Sequence, residues 1–389
     1  MKICDLTIFY SETSGGVRTY LTEKQKYVRE HRPDVEHVVI VPGPADSVLA
    51  DGNTKLVRFK APKQLVNANY HMPLRPGPFL DVLEREKPDI VEAGSPFLSP
   101  WAAFEYRERH GAPAVGFFHA NIAETYVTAI PPALQFLFRG LFYHVGWWWC
   151  RRVFNRCDMV LAPTKRIKDL LEARGITGVV EQGFGVDTGV FKPENRGEEL
   201  RRGIGAGPDT TVFLFVGRLH REKGLDTAVK SFLSINQENS LLLIAGAGQA
   251  RPYVESIAAE NPRVKYLGFL KNREELARTY ASSDIFVMPC ANETFGMAYL
   301  EALASGIPIV GIKGSGIVDQ IPGRYCLSSE AGDLPGFAAN MAAMRDLRPS
   351  IDRRELYDFV LERGYGWKTT FDKLFMGYEK LLERAGPRR

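Results

Sequence analysis

The sequence lacks the patterns that mark a membrane-spanning, disulfide-stabilised or nucleic-acid-binding protein. No uncharged run reaches the roughly 20 residues that cross a bilayer. The five cysteines are odd in number and form no CxxC pair, so free thiols in a reducing compartment are the expected state. No RNA- or DNA-binding motif occurs. The GxGxxG fingerprint of dinucleotide domains and its downstream acid are also missing, which argues against a nicotinamide oxidoreductase.

What is present is ordinary globular composition at a length that suits two domains. Of the 389 residues, 45% are hydrophobic and 25% are charged. The net charge of +4 and the isoelectric point near 8.7 favour anionic partners without demanding nucleic acid. The first ten residues, interrupted by Asp5, form a strand pattern rather than a signal core, so we expect the protein in the cytoplasm.

Short apolar runs alternate with helical patterns in both halves of the chain. This alternation predicts an α/β protein with two doubly wound domains built on parallel sheets. Over 183–202 the periodicity lapses while glycine and charge increase, which predicts a linker. Ligands of open α/β sheets bind beyond the carboxyl ends of the strands, so we expect both domains to face a cleft between them. An amphipathic pattern over 367–382 predicts a final helix.

Two glutamates, Glu293 and Glu301, form the most informative pair. An apolar strand pattern over 284–289 precedes them, and apolar residues recur at helical spacing from Phe295, so Glu293 is predicted in a loop and Glu301 two turns into a helix. Gly296 lets backbone approach a ligand, and the N–H groups of the first helical turn suit phosphate. Because carboxylates repel phosphate, we interpret both acids as acceptors for sugar hydroxyls, which predicts a sugar joined to a diphosphate. The alternative is a capping acid and a solvated helix residue.

Cations and glycines at other strand ends extend this site. Arg218 and Lys223, after Gly217, follow the first strand pattern of the second half and can neutralise a diphosphate leaving group as its charge grows. Solvated loop cations are the alternative. Gly15 and Gly16 lie between the first strand and a helix, where their amides form a second candidate cradle or an ordinary turn.

His119 ends a buried-strand pattern over 115–119 and is followed closely by Asn121. A histidine at a strand end is either a satisfied structural residue or a group that faces the predicted cleft. The position opposite the glutamate pair favours the second interpretation.

Together these residues resemble the retaining GT-B glycosyltransferases of family 4, over nearly the whole chain. The resemblance implies an acceptor-binding Rossmann-like domain over 1–188, completed by a C-terminal helix at about 370–389, and a nucleotide-sugar-binding domain over 189–369. The elements that carry the likeness, in order, are Gly15-Gly16, His119, the crossover 185–191, Gly217-Arg218 with Lys223-Gly224, the pair Glu293 and Glu301, and the segment containing Trp367.

The resemblance also implies a role for each matching residue. It places Arg218 and Lys223 at the donor diphosphate, Glu301 at the ribose, and His119 at the donor sugar. Glu293 is expected at the sugar and phosphates. The remaining donor residues are expected to be Gly16, Gly217, Leu270 near the nucleobase, Phe295, Gly296 and Met297, and the acceptor residues Gly15, Gly16 and Asn121.

A retaining, metal-independent hexosyltransferase is the implied activity, with a nucleotide-diphosphate sugar of GDP-mannose or UDP-glucose type as donor. The acceptor is expected to be a glycan, a glycolipid or a small hydroxylated molecule. The sequence has no DxD at a strand end, and Arg218 and Lys223 can replace a metal ion. His119, Glu293, Arg218 and Lys223 are therefore the candidate catalytic residues. Front-face departure of the diphosphate is favoured over Glu293 as a covalent nucleophile.

Two segments of the first half are candidate contacts with an anionic membrane, at the inner face of the cell membrane. The aromatic stretch 136–152, with flanking arginines, predicts either an interfacial helix or a core helix packed on the first sheet. The second candidate surface combines Lys60, Lys63 and Arg75 with Leu65, Val66 and Tyr70.

Architecture leaves other functions open, because one fold hosts several chemistries. A sugar-nucleotide epimerase or a phosphorylase shares the two-domain plan and the diphosphate site. A non-catalytic nucleotide-sugar sensor would bind the donor without turnover. The glutamate pair beside Arg218 and Lys223 favours the transferase.

Overall fold

Two sheets, one for each half of the chain, organise the structure. The computed structural model describes residues 1–10, 15–64, 70–120 and 132–386, and the side chains of 132–139 are outside that description. The chain divides into two units. Unit 1 comprises Met1–Phe184 and Trp367–Arg389, and unit 2 comprises Gly185–Gly366.

The sheet of unit 1 runs in the order β3-β4-β2-β1-β5-β6-β7-β8, and each neighbouring pair is parallel except β3 and β4. The order reverses at β1, so the carboxyl ends of β1 and β5 form a topological switch point. The strands are β1 (Lys2–Leu6), β2 (Glu36–Gly43), β3 (Ser47–Asp51), β4 (Thr54–Lys60), β5 (Ile90–Ala93), β6 (Ala114–Phe117), β7 (Met159–Ala162) and β8 (Val179–Glu181); the helices are α1 (Gly16–His31), α2 (Gly77–Glu86), α3 (Ser99–His110), α4 (Pro132–Phe154), α5 (Lys165–Ala173) and α13 (Trp367–Ala385).

The sheet of unit 2 runs in the order β11-β10-β9-β12-β13-β14, and each neighbouring pair is parallel. Its order reverses between β9 and β12, which places the switch point of this unit at their carboxyl ends. The strands are β9 (Thr211–Val216), β10 (Ser240–Ala245), β11 (Val264–Gly268), β12 (Ile285–Val287), β13 (Ile309–Ile312) and β14 (Cys326–Ser329); the helices are α6 (Glu198–Gly203), α7 (Leu225–Ser234), α8 (Arg251–Glu260), α9 (Arg273–Ser282), α10 (Met297–Ala304), α11 (Leu334–Leu347) and α12 (Arg353–Glu362).

The prediction of two parallel-sheet α/β domains is confirmed, and the central strands show why the pattern is readable. Strands β10, β12 and β13 are buried along their whole length and consist mainly of apolar residues. A strand covered by helices on both faces needs such a continuous apolar run. The hairpin of β3 and β4 was not predicted, because β3 is a short edge strand, exposed at every residue, whose apolar run is only Val48, Leu49 and Ala50.

Helix α13 completes the core of unit 1, although it comes last in the chain. Its apolar side packs on α1, where Tyr27 lies 5.4 Å from the ring centroid of Phe371 and 5.3 Å from that of Phe375. The predicted C-terminal helix is therefore present. Its buried residues are Trp367, Thr370, Phe371, Leu374, Phe375 and Tyr378.

A buried ionic network ties α13 to the sheet of unit 1. The Lys24 ammonium donates to both carboxylate oxygens of Asp5 at 2.9 Å, to Glu92 at 3.1 Å and to the Tyr378 hydroxyl at 2.9 Å. Burial opposes ionisation of Asp5, but Lys24 and His37 outweigh it and lower the pKa of Asp5 to about 2. Burial and the Asp5 charge raise the pKa of Glu92 to about 7. Strands β1 and β5, helix α1 and helix α13 thus share one set of polar contacts.

A second buried cluster anchors β12 in unit 2. Asp284, directly before β12, forms ion pairs with four arginines from two stretches of the chain, 196–201 and 348–353. Backbone carbonyls at the end of α9 accept further hydrogen bonds from these guanidinium groups, which therefore also cap that helix. This cluster fixes the amino end of β12, while the loop at its other end carries Glu293. The four arginines are Arg196, Arg201, Arg348 and Arg353.

No helix within the described ranges is long and apolar enough to cross a membrane.

Candidate functional site

The switch point of unit 2 gathers the predicted donor residues after two neighbouring strands. Gly217 and Arg218 follow β9 directly, and Lys223 ends the short 3₁₀ helix Arg221–Lys223. Glu293 lies in the loop after β12, between that strand and α10. Because β9 and β12 are paired in parallel, their carboxyl ends lie at one edge of the sheet. The topology therefore brings the predicted cations and the predicted carboxylate to the same place.

Lys223 and Glu293 are in direct contact through an ion pair between the Lys223 ammonium and one carboxylate oxygen of Glu293. Their side chains are only 18% and 17% exposed. Burial by itself lowers the pKa of Lys223, but the Glu293 charge and hydrogen bond outweigh it, so this pKa is raised above its usual value. Lys223 is therefore a fixed positive charge at neutral pH.

Arg218 occupies a different environment. Its guanidinium donates to Glu222 at 2.7 Å, four residues further on, and its side chain is 63% exposed. An exposed ion pair of this kind contributes little to stability. Arg218 is therefore able to turn toward an incoming anion at small energetic cost.

Two glycines shape the backbone around this ion pair. Gly224 has φ +71°, and a Cβ atom there would lie 2.0 Å from the Pro289 carbonyl oxygen, which brings the loops after β9 and β12 together. Gly296 has φ +80°, a left-handed conformation that glycine adopts readily. The left-handed residue ends the loop and serves as the N-cap of α10.

The helix after the loop begins at Met297, two residues later than predicted. The predicted start at Phe295 was wrong because Gly296 is left-handed and cannot be part of a right-handed helix. Glu301 is consequently the fifth residue of α10, a little more than one turn from its start rather than two. This brings Glu301 closer to the free N–H groups of the first turn.

Glu301 is held by a residue that the sequence analysis missed. The Tyr280 hydroxyl, on α9, donates to a carboxylate oxygen of Glu301 at 3.0 Å. Burial raises the pKa of Glu301 to about 7, while Tyr280 and the nearby Arg273 charge oppose the rise. A tyrosine in an apolar helix pattern is a signal in the sequence, because a buried hydroxyl group needs a hydrogen-bond partner. The sequence does not show that this partner is Glu301, since the pairing depends on the tertiary fold.

The other predicted donor residues of unit 2 lie around the same strand ends. Phe295 is buried and its carbonyl accepts from the Ile317 amide at 3.0 Å, which fixes the loop before α10. Met297 is half-buried at the first position of α10. Leu270 is half-buried just beyond the edge strand β11.

The predicted residues of unit 1 lie at its own strand ends. Gly15 and Gly16 are exposed where α1 begins, and the Gly15 carbonyl accepts from the Thr19 amide at 3.1 Å. His119 follows β6, next to β5, and a Cβ atom on Gly94 would lie 3.3 Å from its Nε2. Asn121 lies outside the described residues.

An aromatic cage surrounds the His119 ring. Phe117 stacks on it with ring centroids 4.0 Å apart, and Tyr20 and Phe184 contact it at 5.6 Å and 5.9 Å. Burial lowers the pKa of His119 to about 3. The imidazole is therefore neutral at physiological pH and suits hydrogen bonding rather than proton transfer as an acid.

The two predicted membrane-facing segments have different outcomes. Lys60, Lys63 and Arg75 are exposed and Tyr70 is half-buried, but Leu65 and Val66 fall in the range 65–69 that the structure does not describe. The aromatic stretch 136–152 forms most of α4, which has one face in the core and one face exposed.

Metal ligands are not grouped in the part of the chain that the structure describes: it contains no cluster of three or more His, Cys, Asp or Glu side chains able to hold an ion.

Comparisons with known families and proteins identify the family of the chain. A family model described as glycosyltransferase family 4 matches residues 14–188, and one described as glycosyl transferases group 1 matches residues 210–346. A GDP-mannose-dependent alpha-mannosyltransferase of Mycolicibacterium smegmatis is 30% identical over 317 residues, which cover 79% of this chain and 78% of that protein. A GDP-mannose-dependent alpha-(1-6)-phosphatidylinositol dimannoside mannosyltransferase of Mycobacterium tuberculosis is 28% identical over 325 residues, 82% of each chain.

The solved structures share the fold at low sequence identity. Sucrose-phosphate synthase from Thermosynechococcus elongatus aligns with a TM-score of 0.80 at 17% identity, over 98% of this chain and 99% of that one. The two parallel-sheet α/β units have the GT-B fold, and the two family models give the class of protein as a glycosyltransferase. Within that class the chain belongs to glycosyltransferase family 4.

Proposed function

We propose that the protein transfers a hexose from a nucleoside-diphosphate sugar, with GDP-mannose as the first candidate donor, to a hydroxyl of a glycolipid acceptor. The transfer retains the anomeric configuration and requires no metal ion. The Lys223–Glu293 ion pair beside the start of α10 is the observation that carries this proposal. A fixed cation and a carboxylate acceptor at one helix N-terminus match a ligand that joins a diphosphate to a sugar.

The cations stabilise the charge that develops on the leaving group. As the bond between the sugar C1 and the diphosphate oxygen breaks, negative charge accumulates on that oxygen. Lys223 holds a permanent positive charge in a largely buried position, where electrostatic interactions are stronger than in water. Arg218 adds a planar guanidinium that can leave Glu222 and bind phosphate oxygens. These groups support a reaction that is independent of metal.

Retention follows from departure and attack on the same face of the sugar. The acceptor hydroxyl forms the new bond to C1 on the face from which the diphosphate leaves, and its proton passes to the departing phosphate oxygen. Atoms and charge then balance without a protein base. Glu293 is assigned to the sugar hydroxyls rather than to covalent attack on C1. Its carboxylate accepts a hydrogen bond from Lys223, which stabilises its charge and makes it a weaker nucleophile.

His119 is assigned to a hydroxyl of the donor sugar as a neutral hydrogen-bond partner. Its low pKa and its aromatic cage support this role rather than general acid catalysis. Gly15, Gly16 and Asn121 stay assigned to the acceptor, Leu270 to the nucleobase, and Glu301 to the ribose.

Two relatives favour the donor and the acceptor class. Their names describe GDP-mannose-dependent mannosyltransferases, and one acts on a phosphatidylinositol dimannoside. A lipid-linked acceptor places the enzyme at an anionic membrane surface, as a peripheral protein on the cytoplasmic side. A UDP-glucose-type donor is the competing choice.

Nucleotide-sugar turnover by the full chain tests the function. The protein is incubated with GDP-mannose or UDP-glucose, with and without an inositol glycolipid, and the products are identified by mass spectrometry. We expect GDP release that depends on the acceptor, turnover that survives EDTA, and an α-linked product by NMR. A new nucleotide sugar without acceptor, or tight donor binding without turnover, would contradict transfer in favour of an epimerase or a sensor.

Substitution of Glu293 tests the site itself. Glu293→Gln keeps the shape but loses the charge, and we expect kcat to fall about 100-fold, the size typical of one lost transition-state contact. Glu255→Gln, on the exposed face of α8, is the matched control and should keep full turnover. A Glu293→Gln enzyme with most of its kcat intact would remove the carboxylate from the mechanism.

A further inference from the structure

Helix α4 has an apolar face that the fold of unit 1 does not use. Its inner face belongs to the core: Cys150, Val153 and Phe154 are buried, and Trp147 stacks on Phe118 with centroids 6.3 Å apart. This face accounts for the attachment of α4 to the sheet. It does not account for the residues on the opposite side.

The outer face of α4 carries large apolar side chains in the positions that water normally reaches. Leu141, Val145 and Trp148 are 59%, 49% and 53% exposed. Together with Arg152 they stand at positions i, i+4, i+7 and i+11, which form a single stripe along one side of a helix. A helix that is apolar on both sides needs a second apolar neighbour. We call these three residues and Arg152 the outer stripe.

The charged residues of helix α4 have one sign. The 23 residues of α4 include three arginines and no aspartate or glutamate. Arg151 and Arg152 are both exposed and lie one turn beyond Trp148. Unit 1 as a whole contains 29 lysines and arginines against 23 acids, whereas unit 2 contains 21 against 23. The positive excess of the molecule therefore resides in the unit that carries the stripe.

We propose that the outer stripe of α4 is the surface by which the protein binds anionic phospholipid membranes. Leu141, Val145 and Trp148 enter the boundary between head groups and acyl chains, where a tryptophan ring is particularly stable. Arg151 and Arg152 pair with the lipid phosphates. This inference deepens the proposed function, because a lipid-linked acceptor is met at the same membrane, but it rests on contacts that can be measured without any donor or acceptor.

The charge pattern favours a membrane over a second copy of the chain. A symmetric contact between two copies of the outer stripe would bring the arginines of both copies together without an acid on α4 to pair with them. An anionic bilayer satisfies the apolar side chains and the arginines at once. The arginines also predict that binding weakens as salt rises.

Vesicle sedimentation of the full chain tests the proposal. We expect the protein to pellet at low salt with phosphatidylcholine vesicles that contain about one-third phosphatidylglycerol, and to stay in solution with pure phosphatidylcholine. Leu141→Ser/Trp148→Ser should weaken binding at least about tenfold. Arg151→Gln/Arg152→Gln should weaken it about fivefold for each arginine and flatten the salt dependence.

Matched controls separate the surface from general effects of the substitutions. Leu361→Ser and Arg278→Gln change an exposed leucine and an exposed arginine of unit 2 and should leave vesicle binding intact. Circular dichroism shows whether each variant is folded, and the arginine variant remains informative if the apolar one is not. Unchanged vesicle binding in both α4 variants would overturn the proposal. It would also be overturned if sedimentation equilibrium found the unsubstituted protein to be a dimer that the α4 substitutions dissociate without weakening vesicle binding.

The outcome is independent of the transferase reaction. Vesicle binding without turnover would leave this surface intact and remove the proposed function. Turnover with a detergent-dispersed glycolipid but no vesicle binding would support the proposed function and remove the membrane-binding surface.

Discussion

Glu301 is buried and accepts a hydrogen bond from Tyr280, and its carboxyl group changes protonation state near neutral pH. Burial raises its pKa to about 7, and the Tyr280 hydrogen bond is not enough to restore the usual value. A carboxylate that accepts hydrogen bonds from ribose hydroxyls binds best when ionised. Donor affinity should therefore depend on pH through this one side chain.

Donor affinity is expected to rise about tenfold between pH 6 and pH 8, as Glu301 passes from mostly protonated to mostly ionised. Calorimetric titration with GDP-mannose at each pH measures the dissociation constant. The diphosphate diester of the donor does not titrate between pH 6 and pH 8, so the pH dependence belongs to the protein. Glu301→Gln should bind more weakly at pH 8 and show no slope. The same shift has the opposite effect on the unliganded protein: the proton on Glu301 stabilises the fold below its unfolded pKa, and this stabilisation is lost as pH rises through about 7.

The sequence was sufficient to identify candidate site residues and insufficient to describe their environments. Arg218, Lys223 and Glu293 could be named because strand-end positions follow from apolar runs. The hydrogen bond from Tyr280 to Glu301 joins two helices, and the aromatic cage of His119 joins residues far apart in the chain, from Tyr20 to Phe184. Contacts of this kind depend on packing, which periodicity does not specify.

At the level of elements, the strand β12 is held at both ends by polar groups. Asp284 before it receives four guanidinium groups, and the loop after it leads to the Glu293–Lys223 pair. The sequence predicted β12 and the helix that follows, since both have the expected apolar spacing. The arginine cluster was not predictable, because its four members lie at 196, 201, 348 and 353.

Asp284→Asn is expected to destabilise unit 2 by about 3–5 kcal/mol, since it leaves the buried Arg201 and three half-buried arginines without their counter-charge. The shift of the urea unfolding midpoint measures the loss. Glu255→Gln, which breaks an exposed pair with Arg251 on α8, is the control and should leave the midpoint nearly unchanged. Equal midpoints for the two variants would show that the arginines are satisfied by the backbone carbonyls alone.

The helix α13 depends on a polar contact as well as on its apolar face. Tyr378→Phe keeps the ring but removes the hydroxyl that binds Glu92 and Lys24, so we expect a loss of about 1–3 kcal/mol in unfolding free energy. Tyr253→Phe removes an exposed hydroxyl bonded to Asp226 and should cost much less. A similar loss in both variants would mean that the buried network adds nothing beyond an ordinary hydrogen bond.

At the level of the whole molecule, the two units differ in how the chain builds them. Unit 2 is one continuous segment, whereas unit 1 combines Met1–Phe184 with Trp367–Arg389. The two ends of unit 2 are adjacent, since the Val186 amide donates to the Tyr365 carbonyl at 2.8 Å. A segment with its own sheet, its own core and neighbouring ends has the features of an independently folding domain.

Residues 185–366 expressed alone are therefore expected to fold cooperatively and to bind GDP or UDP. A thermal unfolding scan with and without nucleotide measures both cooperative folding and binding. A ligand at 100 times its Kd should add about 2.7 kcal/mol to the free energy of unfolding. Lys223→Met in the isolated segment should reduce the shift, whereas Lys230→Met, on the exposed side of α7, should not. A segment that stays unfolded would show that unit 2 requires unit 1.

The late position of α13 also sets an order of events during synthesis. Ribosomes add residues from the N-terminus, so the first 184 residues emerge before the helix that covers their aromatic surface and before Tyr378 reaches Glu92. Unit 2, although it starts second, is complete before unit 1 is. The N-terminal segment of unit 1 therefore lacks part of its core until unit 2 and then α13 have been translated, so its exposed aromatic surface is open to aggregation during that time.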